Sequence, residues 1–268
     1  MQIRVNDFNL SSTLESGQVF GFTKAGDGAY EGVIGQAPVR LWQKNGTLFA
    51  QGIGKAERLR EYFDLDRDLT PLYALLRAEA PLENLPVKLA GLRLIRQDPW
   101  EALACFILSS NNNVKRIQGI WKNLSFHFNR GRCFPTPGQI AQTHERILRQ
   151  LGLGYRAPFL WASARFVAAS PQSLDVIRRA HYEEAKRRVL AFPGIGPKVA
   201  DCVLLYGFQK YEAFPVDVWI GRVMRKIYFR NRKISEARIR RFGQRQWGNL
   251  AGYVQQYLFH GARMGILS

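Results

Sequence analysis

The sequence predicts a mainly helical protein with a smaller α+β part at its N-terminus, built around an antiparallel sheet. Three observations lead there. Residues 19–34 alternate apolar and polar around Gly26-Asp27-Gly28, and a second alternating pair meets across Lys44-Asn45-Gly46. Beyond residue 91 the apolar residues recur at helical spacing instead. The charge changes in the same region: residues 1–90 hold 10 Lys+Arg against 11 Asp+Glu, and residues 91–268 hold 29 against 10, so the net charge of +18 lies entirely in the second part. A boundary near residue 90 follows, with 1–90 as the sheet domain and 91–268 as a helical core that can pack on it.

In the first part, Val39-Arg40-Leu41-Trp42 faces Thr47-Leu48-Phe49 across Asn45-Gly46, a strong hairpin signal because the favoured two-residue turn needs positive φ at both positions. Helical stretches follow over residues 57–63 and 72–80, and residues 81–86 read as a connector. In the second part, Asp98-Pro99-Trp100-Glu101 sets an N-cap, a proline at the first helical position and a capping glutamate ahead of a helix to about residue 108. The polar run Ser109-Ser110-Asn111-Asn112-Asn113 stops it. Val114, Ile117, Trp121, Leu124 and Phe128 line the next helix, and Thr136-Pro137 opens another. Leu151-Gly152-Leu153-Gly154-Tyr155-Arg156 then interrupts the pattern before a helix to about residue 169. A last helix after residue 252 sets Gln255 and Phe259 four apart on one face.

The chemistry concentrates in residues 181–228. Ala185, Val189 and Leu190 mark a helix that runs into Pro193-Gly194-Ile195-Gly196, where the two glycines can take backbone angles closed to other residues, and Pro197 suits the first turn of a second helix, so residues 181–208 form a helical hairpin. Free N–H groups at the start of that second helix, in its positive dipole end, make an anion site, with Gly194, Gly196 and Lys198 around it. In a chain this basic the anion is best read as a nucleic-acid phosphate. Lys198 and Cys202 stack one turn apart, and Asp217, in Phe214-Pro215-Val216-Asp217, sits at the N-cap of the next helix. A lysine is a useful nucleophile only when its pKa falls, which partial burial among other cations favours. Taken singly, such a hairpin is more often a plain DNA-binding module, Asp217 only a cap and Cys202 a small core residue.

The three cysteines, Cys105, Cys133 and Cys202, are too few and scattered for a disulfide framework or a four-cysteine metal site, and the four histidines show no ligand spacing, so neither metal nor cofactor is expected. No stretch approaches the roughly 18 apolar residues of a membrane span, and MQIRVNDFNL lacks the apolar core of a signal peptide. An intracellular location is expected, in the cytoplasm or nucleoid if the source is prokaryotic.

FPGIGPKVADC followed by PVDV resembles the helix-hairpin-helix and Gly/Pro-Asp motif of the DNA glycosylase superfamily, and the lysine resembles its bifunctional 8-oxoguanine glycosylase/AP lyase branch. Ser16-Gly17-Gln18-Val19-Phe20, Arg96-Gln97-Asp98-Pro99, Ser109 to Asn113, Leu151 to Arg156 and Ala251 to Phe259 are similar to further motifs of that family, in matching order. The resemblance implies a TBP-like sheet domain packed on a helical glycosylase core. It also implies a monomer acting on double-stranded DNA that contains oxidised guanine.

By the same resemblance Lys198 is the Schiff-base nucleophile and Asp217 its electrostatic partner. Cys202 and Phe259 sandwich the flipped base, Gln255 reads its Watson–Crick edge, and the Gly17 carbonyl accepts the N7 hydrogen that 8-oxoguanine has and guanine lacks. Tyr155 wedges into the stack, Asn111 fills the gap, and Arg116 and Arg156 donate to the orphan cytosine. No cysteine follows Cys202, which excludes the C-terminal iron–sulfur cluster of some relatives. One departure stands out: eukaryotic members tend to carry a phosphate-contacting histidine two places after the motif aspartate, and this chain has Trp219, moving that contact to Arg222 or Arg225 if it exists. Two rival readings are an alkylated-base glycosylase of the same fold, which would need no lysine, and a silent hairpin protein that only docks on DNA.

Overall fold

The structure, a computed structural model, describes residues 1–267. Five antiparallel strands, β1 (Gln2–Arg4), β2 (Thr23–Lys24), β3 (Tyr30–Ile34), β4 (Ala37–Lys44) and β5 (Thr47–Gln51), lie in the order β1-β5-β4-β3-β2. The β4–β5 turn forms as its sequence demands. Asn45 and Gly46 have φ of 49° and 70°, and Lys44 comes to lie opposite Thr47 and Leu41 opposite Ala50. Alternation does not reveal β1, which pairs with β5 through Gln2 opposite Phe49, a long-range partner choice that no local pattern encodes.

Leu41, Leu48 and Ala50 point inward against Leu10 and Leu14 of α1 (Leu10–Glu15), Leu59 of α2 (Ala56–Tyr62) and Phe63, closing a first core. The helix α3 (Thr70–Ala78) turns the other way. Its Leu72 and Leu76, with Leu82, Leu85 and Leu89, join the core of the helical part. The segment read as a connector holds a tight turn over Ala80–Leu82 and a short helix, α4 (Leu85–Lys88), because its leucines are anchors in that core.

The helical part comprises α5 (Pro99–Ser109), α6 (Val114–Asn129), α7 (Pro137–Gln142), α8 (Glu145–Leu148), α9 (Ala157–Ala169) and α10 (Ser173–Arg179). It continues with α11 (Tyr182–Leu190), α12 (Pro197–Phe208), α13 (Val218–Tyr228), α14 (Glu236–Trp247) and α15 (Ala251–Arg263). Side-chain caps fix six of the starts, with His144 Nδ1 accepting from the Arg146 N–H at α8. Asp98, Asn113, Thr136, Asp217 and Ser235 each accept a hydrogen bond from the backbone N–H three residues on, a contact worth about 1 kcal/mol. Only at α7 is the capping box reciprocal. At α5 the expected second half does not form, because Glu101 accepts from the Trp121 indole instead (2.8 Å), and burial pushes its carboxyl up to about 7.

Two packing features place the site. The buried helix α5 seats α12: a Cβ added at Gly207 would stand 2.9 Å from that of Ala102, so the absent side chain lets the two helices close. On the other side, α15 is buried along nearly its whole length and approaches α12 through Gly252, whose added Cβ would meet Leu205 at 2.3 Å. A buried carboxylate then locks α15 to the N-terminal part. Asp64 receives Arg67 and Arg96 and the hydroxyls of Tyr253 (3.0 Å) and Tyr211 (3.2 Å). Burial pushes the Asp64 carboxyl up, but the two guanidinium groups outweigh it and leave it below the usual range. Among the described residues no helix is long and apolar enough to cross a membrane.

Candidate active site

The helical hairpin is α11 and α12 joined by residues 191–196. Gly194, at φ 75°, takes the left-handed conformation expected, and an added Cβ would stand 2.5 Å from the Phe159 ring of α9. Gly196 departs from the expectation. At φ −94° and ψ 176° it is ordinary extended backbone, with nothing within 4 Å of an added Cβ, so any residue could adopt its conformation. What glycine provides there is an open approach to the first N–H groups of α12, next to the exposed Pro197.

Lys198 is half-buried in the first turn of α12 and Cys202 is buried one turn on. Asp217 caps α13, accepting from the Ile220 N–H at 2.8 Å. The lysine acts on both neighbours. Burial pushes the Cys202 thiol up to about 11, while the Lys198 charge pulls the other way. Burial likewise raises the Asp217 carboxyl above its usual value, with the Ile220 N–H and the Lys198 charge opposing. The amine and the carboxylate therefore stand in one partly desolvated place at the start of two helices.

The base-contact candidates meet along α15. Gln255 is buried, and its Oε1 has no hydrogen-bond partner, an expensive omission for a side chain only 4% exposed unless a ligand supplies the donor. An added Cβ on Gly17, at φ 81°, would meet the Phe259 ring at 3.3 Å and the Arg263 guanidinium at 2.9 Å. The Gly17 turn thus backs directly onto the α15 face that carries Gln255 and Phe259. Tyr206, one turn beyond Cys202, donates to Gln256 of α15 at 2.5 Å, linking this face to α12.

Three of the four residues assigned to the gap in the duplex lie on two touching loops, and the fourth, Arg116, on the helix that follows the first loop. Asn111 is exposed with φ 47°, and Arg116 is exposed in the first turn of α6. Tyr155 is 51% exposed after a distorted turn with Gly152 at φ 100°, and its hydroxyl donates to the Ser110 carbonyl at 3.2 Å. Arg156 differs in setting from Arg116. It is 2% exposed and its guanidinium donates to the carbonyls of Ser110 (Nε, 2.9 Å) and Asn111 (Nη2, 2.8 Å) beneath the Tyr155 ring. In this state it binds the two loops together.

At the position of the missing histidine, Trp219 is 42% exposed and the Arg222 guanidinium lies 5.4 Å over its ring. Arg225 is committed elsewhere, donating to the Ile234 carbonyl through Nε (3.1 Å) and Nη2 (2.9 Å), whereas the exposed Arg222 donates no hydrogen bond among the described residues. Sequence reasoning passed over Arg263, whose guanidinium lies 5.5 Å over the Phe259 ring, although the i, i+4 step from Gln255 to Phe259 continues straight to it. A cavity of about 1160 Å³ opens between the sheet and α6, lined by Gly32, Arg40, Trp121 and Phe126 among others. None of the candidate residues lines it.

Residues 1–103 match the 8-oxoguanine DNA glycosylase N-terminal domain, and residues 104–249 match the HhH-GPD superfamily base excision DNA repair protein. A probable N-glycosylase/DNA lyase of Methanothermobacter thermautotrophicus is 33% identical, covering 100% of this chain and 97% of its own length. The N-glycosylase/DNA lyase of Saccharomyces cerevisiae is 30% identical over 75% of this chain and 65% of its own. A crystal structure of the Clostridium acetobutylicum 8-oxoguanine glycosylase/lyase, with double-stranded DNA carrying cytosine opposite 8-oxoG, superposes with a TM-score of 0.91 at 30% identity, covering 99% of this chain and 98% of the other. The chain belongs to the HhH-GPD superfamily of base excision DNA repair proteins, in its 8-oxoguanine DNA glycosylase/lyase family.

Proposed function

We propose that this protein flips 8-oxoguanine out of duplex DNA, releases it and cuts the strand at the abasic sugar. The observation that carries the reading is a half-buried lysine and a half-buried aspartate at the starts of α12 and α13, the one's charge acting on the other, together with a buried Gln255 whose Oε1 has no partner. Most buried polar side-chain atoms of a core are paired, so an unpaired one facing a candidate site supports a ligand there.

The base enters between the Cys202 thiol and the Phe259 ring, and Gln255 accepts from its Watson–Crick edge. Oxidation puts a hydrogen on N7, which the Gly17 carbonyl accepts; guanine would set two acceptors against each other, a mismatch of about 1–3 kcal/mol. Lys198 Nζ attacks C1′ and the C1′–N9 bond breaks, the base leaving with the electron pair. Asp217 stabilises the positive charge that grows on the sugar. Ring opening gives an imine between Nζ and C1′. Loss of a C2′ proton then expels the 3′ phosphate, and water releases the lysine.

Two measurements follow in this frame. Because burial raises the Asp217 carboxyl, it becomes protonated, and loses its charge, at a higher pH than the ordinary aspartate value of about 3.9. Single-turnover base release should therefore fall on its acid side above that value, and Asp217→Asn should be slow at every pH with that limb gone. An acid limb unchanged in the variant assigns it to another group. Arg116, with its exposed guanidinium at the start of α6, is assigned to the orphan cytosine. Arg116→Ala should lower excision opposite cytosine by about tenfold, as expected for a lost charged hydrogen bond, and affect the other opposite bases less. An equal loss against all four bases would make it a phosphate contact. The function itself is tested on wild type with a duplex panel. Release of 8-oxoguanine with strand cleavage supports it, and release of alkylated purines without cleavage overturns it.

A further inference from the structure

The turn that holds Gly17 is pinned on both sides of the carbonyl assigned to read the base. The Ser16 carbonyl accepts from Gln256 Nε2 at 3.1 Å, and the Gln18 carbonyl accepts from Gln97 Nε2 at 2.7 Å. Between them, the Gly17 carbonyl accepts no hydrogen bond from any described residue. Both pins lead to one residue. Gln256 Oε1 accepts from the Tyr206 hydroxyl at 2.5 Å, and the Gln97 N–H donates to the Tyr206 carbonyl at 2.9 Å.

The surroundings make this a rigid device. Gln97 is 6% exposed and Gln256 1%. Gln18 is fully buried and fully used: its Nε2 donates to Thr13, Ser16 and Arg93, and its Oε1 accepts from the Ile95 N–H at 2.7 Å. Tyr206 cannot drift, because its ring stacks on Phe106 of α5 at 5.3 Å with 14° between planes. Buried hydrogen-bond networks of this kind rigidify the groups that form them. Tyr206 also lies on α12, one turn past Cys202, so the turn is referred to the same helix that carries Lys198.

We infer that Gln256 and Gln97, through Tyr206, are positioning residues that fix where the Gly17 carbonyl points relative to the bound base and so set the preference for a purine with a hydrogen on N7. The inference rests on the reading of Gly17 given above. A carbonyl free to rotate could turn from guanine's N7 and lose the penalty that separates the two bases; a clamped one cannot. Gln255 beside it touches the base, whereas Gln256 acts only through the turn.

The test uses equilibrium binding of the full-length protein to duplexes whose nucleotide is 2′-fluorinated, so that the glycosidic bond resists cleavage. The base is either 8-oxoguanine or 8-bromoguanine, which keeps a substituent at C8 but leaves N7 an acceptor. Wild type should bind the first about 5- to 150-fold more tightly, the fold-change equivalent to about 1–3 kcal/mol. Gln256→Leu should bring that ratio towards one while affinity for an abasic duplex, where no base enters, stays at the wild-type value. Tyr206→Phe, which keeps the ring and removes only the hydroxyl, should shift the ratio in the same direction by less.

A ratio unchanged in both variants overturns the inference and leaves the role of Gly17 standing. Equal losses on base-containing and abasic duplexes also overturn it, because they would show a general loosening. A wild-type ratio near one would instead remove the reading of Gly17, and this inference with it.

Discussion

Replacing Lys198 with glutamine is expected to abolish strand cleavage on a duplex containing 8-oxoguanine, a loss of at least about 10³-fold of the kind seen when a covalent nucleophile is removed. An imine requires a primary amine, and an amide of the same reach cannot form one. Lys198 occupies the first turn of α12, close enough to the half-buried Asp217 and the buried Cys202 for its charge to pull on both. Glutamine fits the same space, so DNA affinity should be retained. Undiminished cleavage would move the lyase chemistry to another amine, and loss of binding together with cleavage would mean that the residue serves mainly as a phosphate clamp.

Asp201→Asn is expected to be the most destabilising single change near the site. Asp201 has no exposed surface, and its carboxylate takes Lys186 Nζ at 2.7 Å, Arg240 Nε at 2.6 Å and the Tyr182 hydroxyl at 2.6 Å. The two cations are themselves only 12% and 11% exposed. Removing the charge leaves them buried and uncompensated, which costs about 3–5 kcal/mol. For a chain of this size that corresponds to a fall of roughly 6–20 °C in Tm. The same carboxylate joins α11 and α14 to α12, so the phosphate-binding hairpin should loosen and DNA affinity should fall with stability. Thermal unfolding and binding to undamaged duplex check both parts. A change in Tm of only a degree or two would show that solvent reaches the cluster.

Much of this was legible in the sequence where the controlling interaction is local. The Asn45-Gly46 turn, the caps at Asp98, Thr136 and Asp217, and the two glycine-bearing breaks in the helical pattern depend on residues a few positions apart. The α15 face carrying Gln255 and Phe259 follows from helical spacing alone. What the sequence hid is long-range. Nothing near Gln2 announces that it will pair with Phe49, and nothing near Leu82 and Leu85 that they will anchor the helical core. Asp201 and Gln256 look like ordinary polar positions in amphipathic helices, and only the packing of α11, α14 and the Gly17 turn around them shows that both are buried and fully bonded. Arg156 reads from its motif as a DNA contact, and only the structure shows that its Nε and Nη2 also donate to two backbone carbonyls. Gly196 looks conformationally required and is not, because φ depends on the turn that forms and not on the residue alone.

The account stands most directly on the identity of one covalent bond. Borohydride reduction during turnover on 8-oxoguanine DNA, followed by mass mapping of the protein–sugar adduct, reads it out. The expected result is a single adduct on Lys198, absent from Lys198→Gln. No adduct with wild type, or one on another amine such as Lys186, Lys210 or the Met1 terminus, would contradict it.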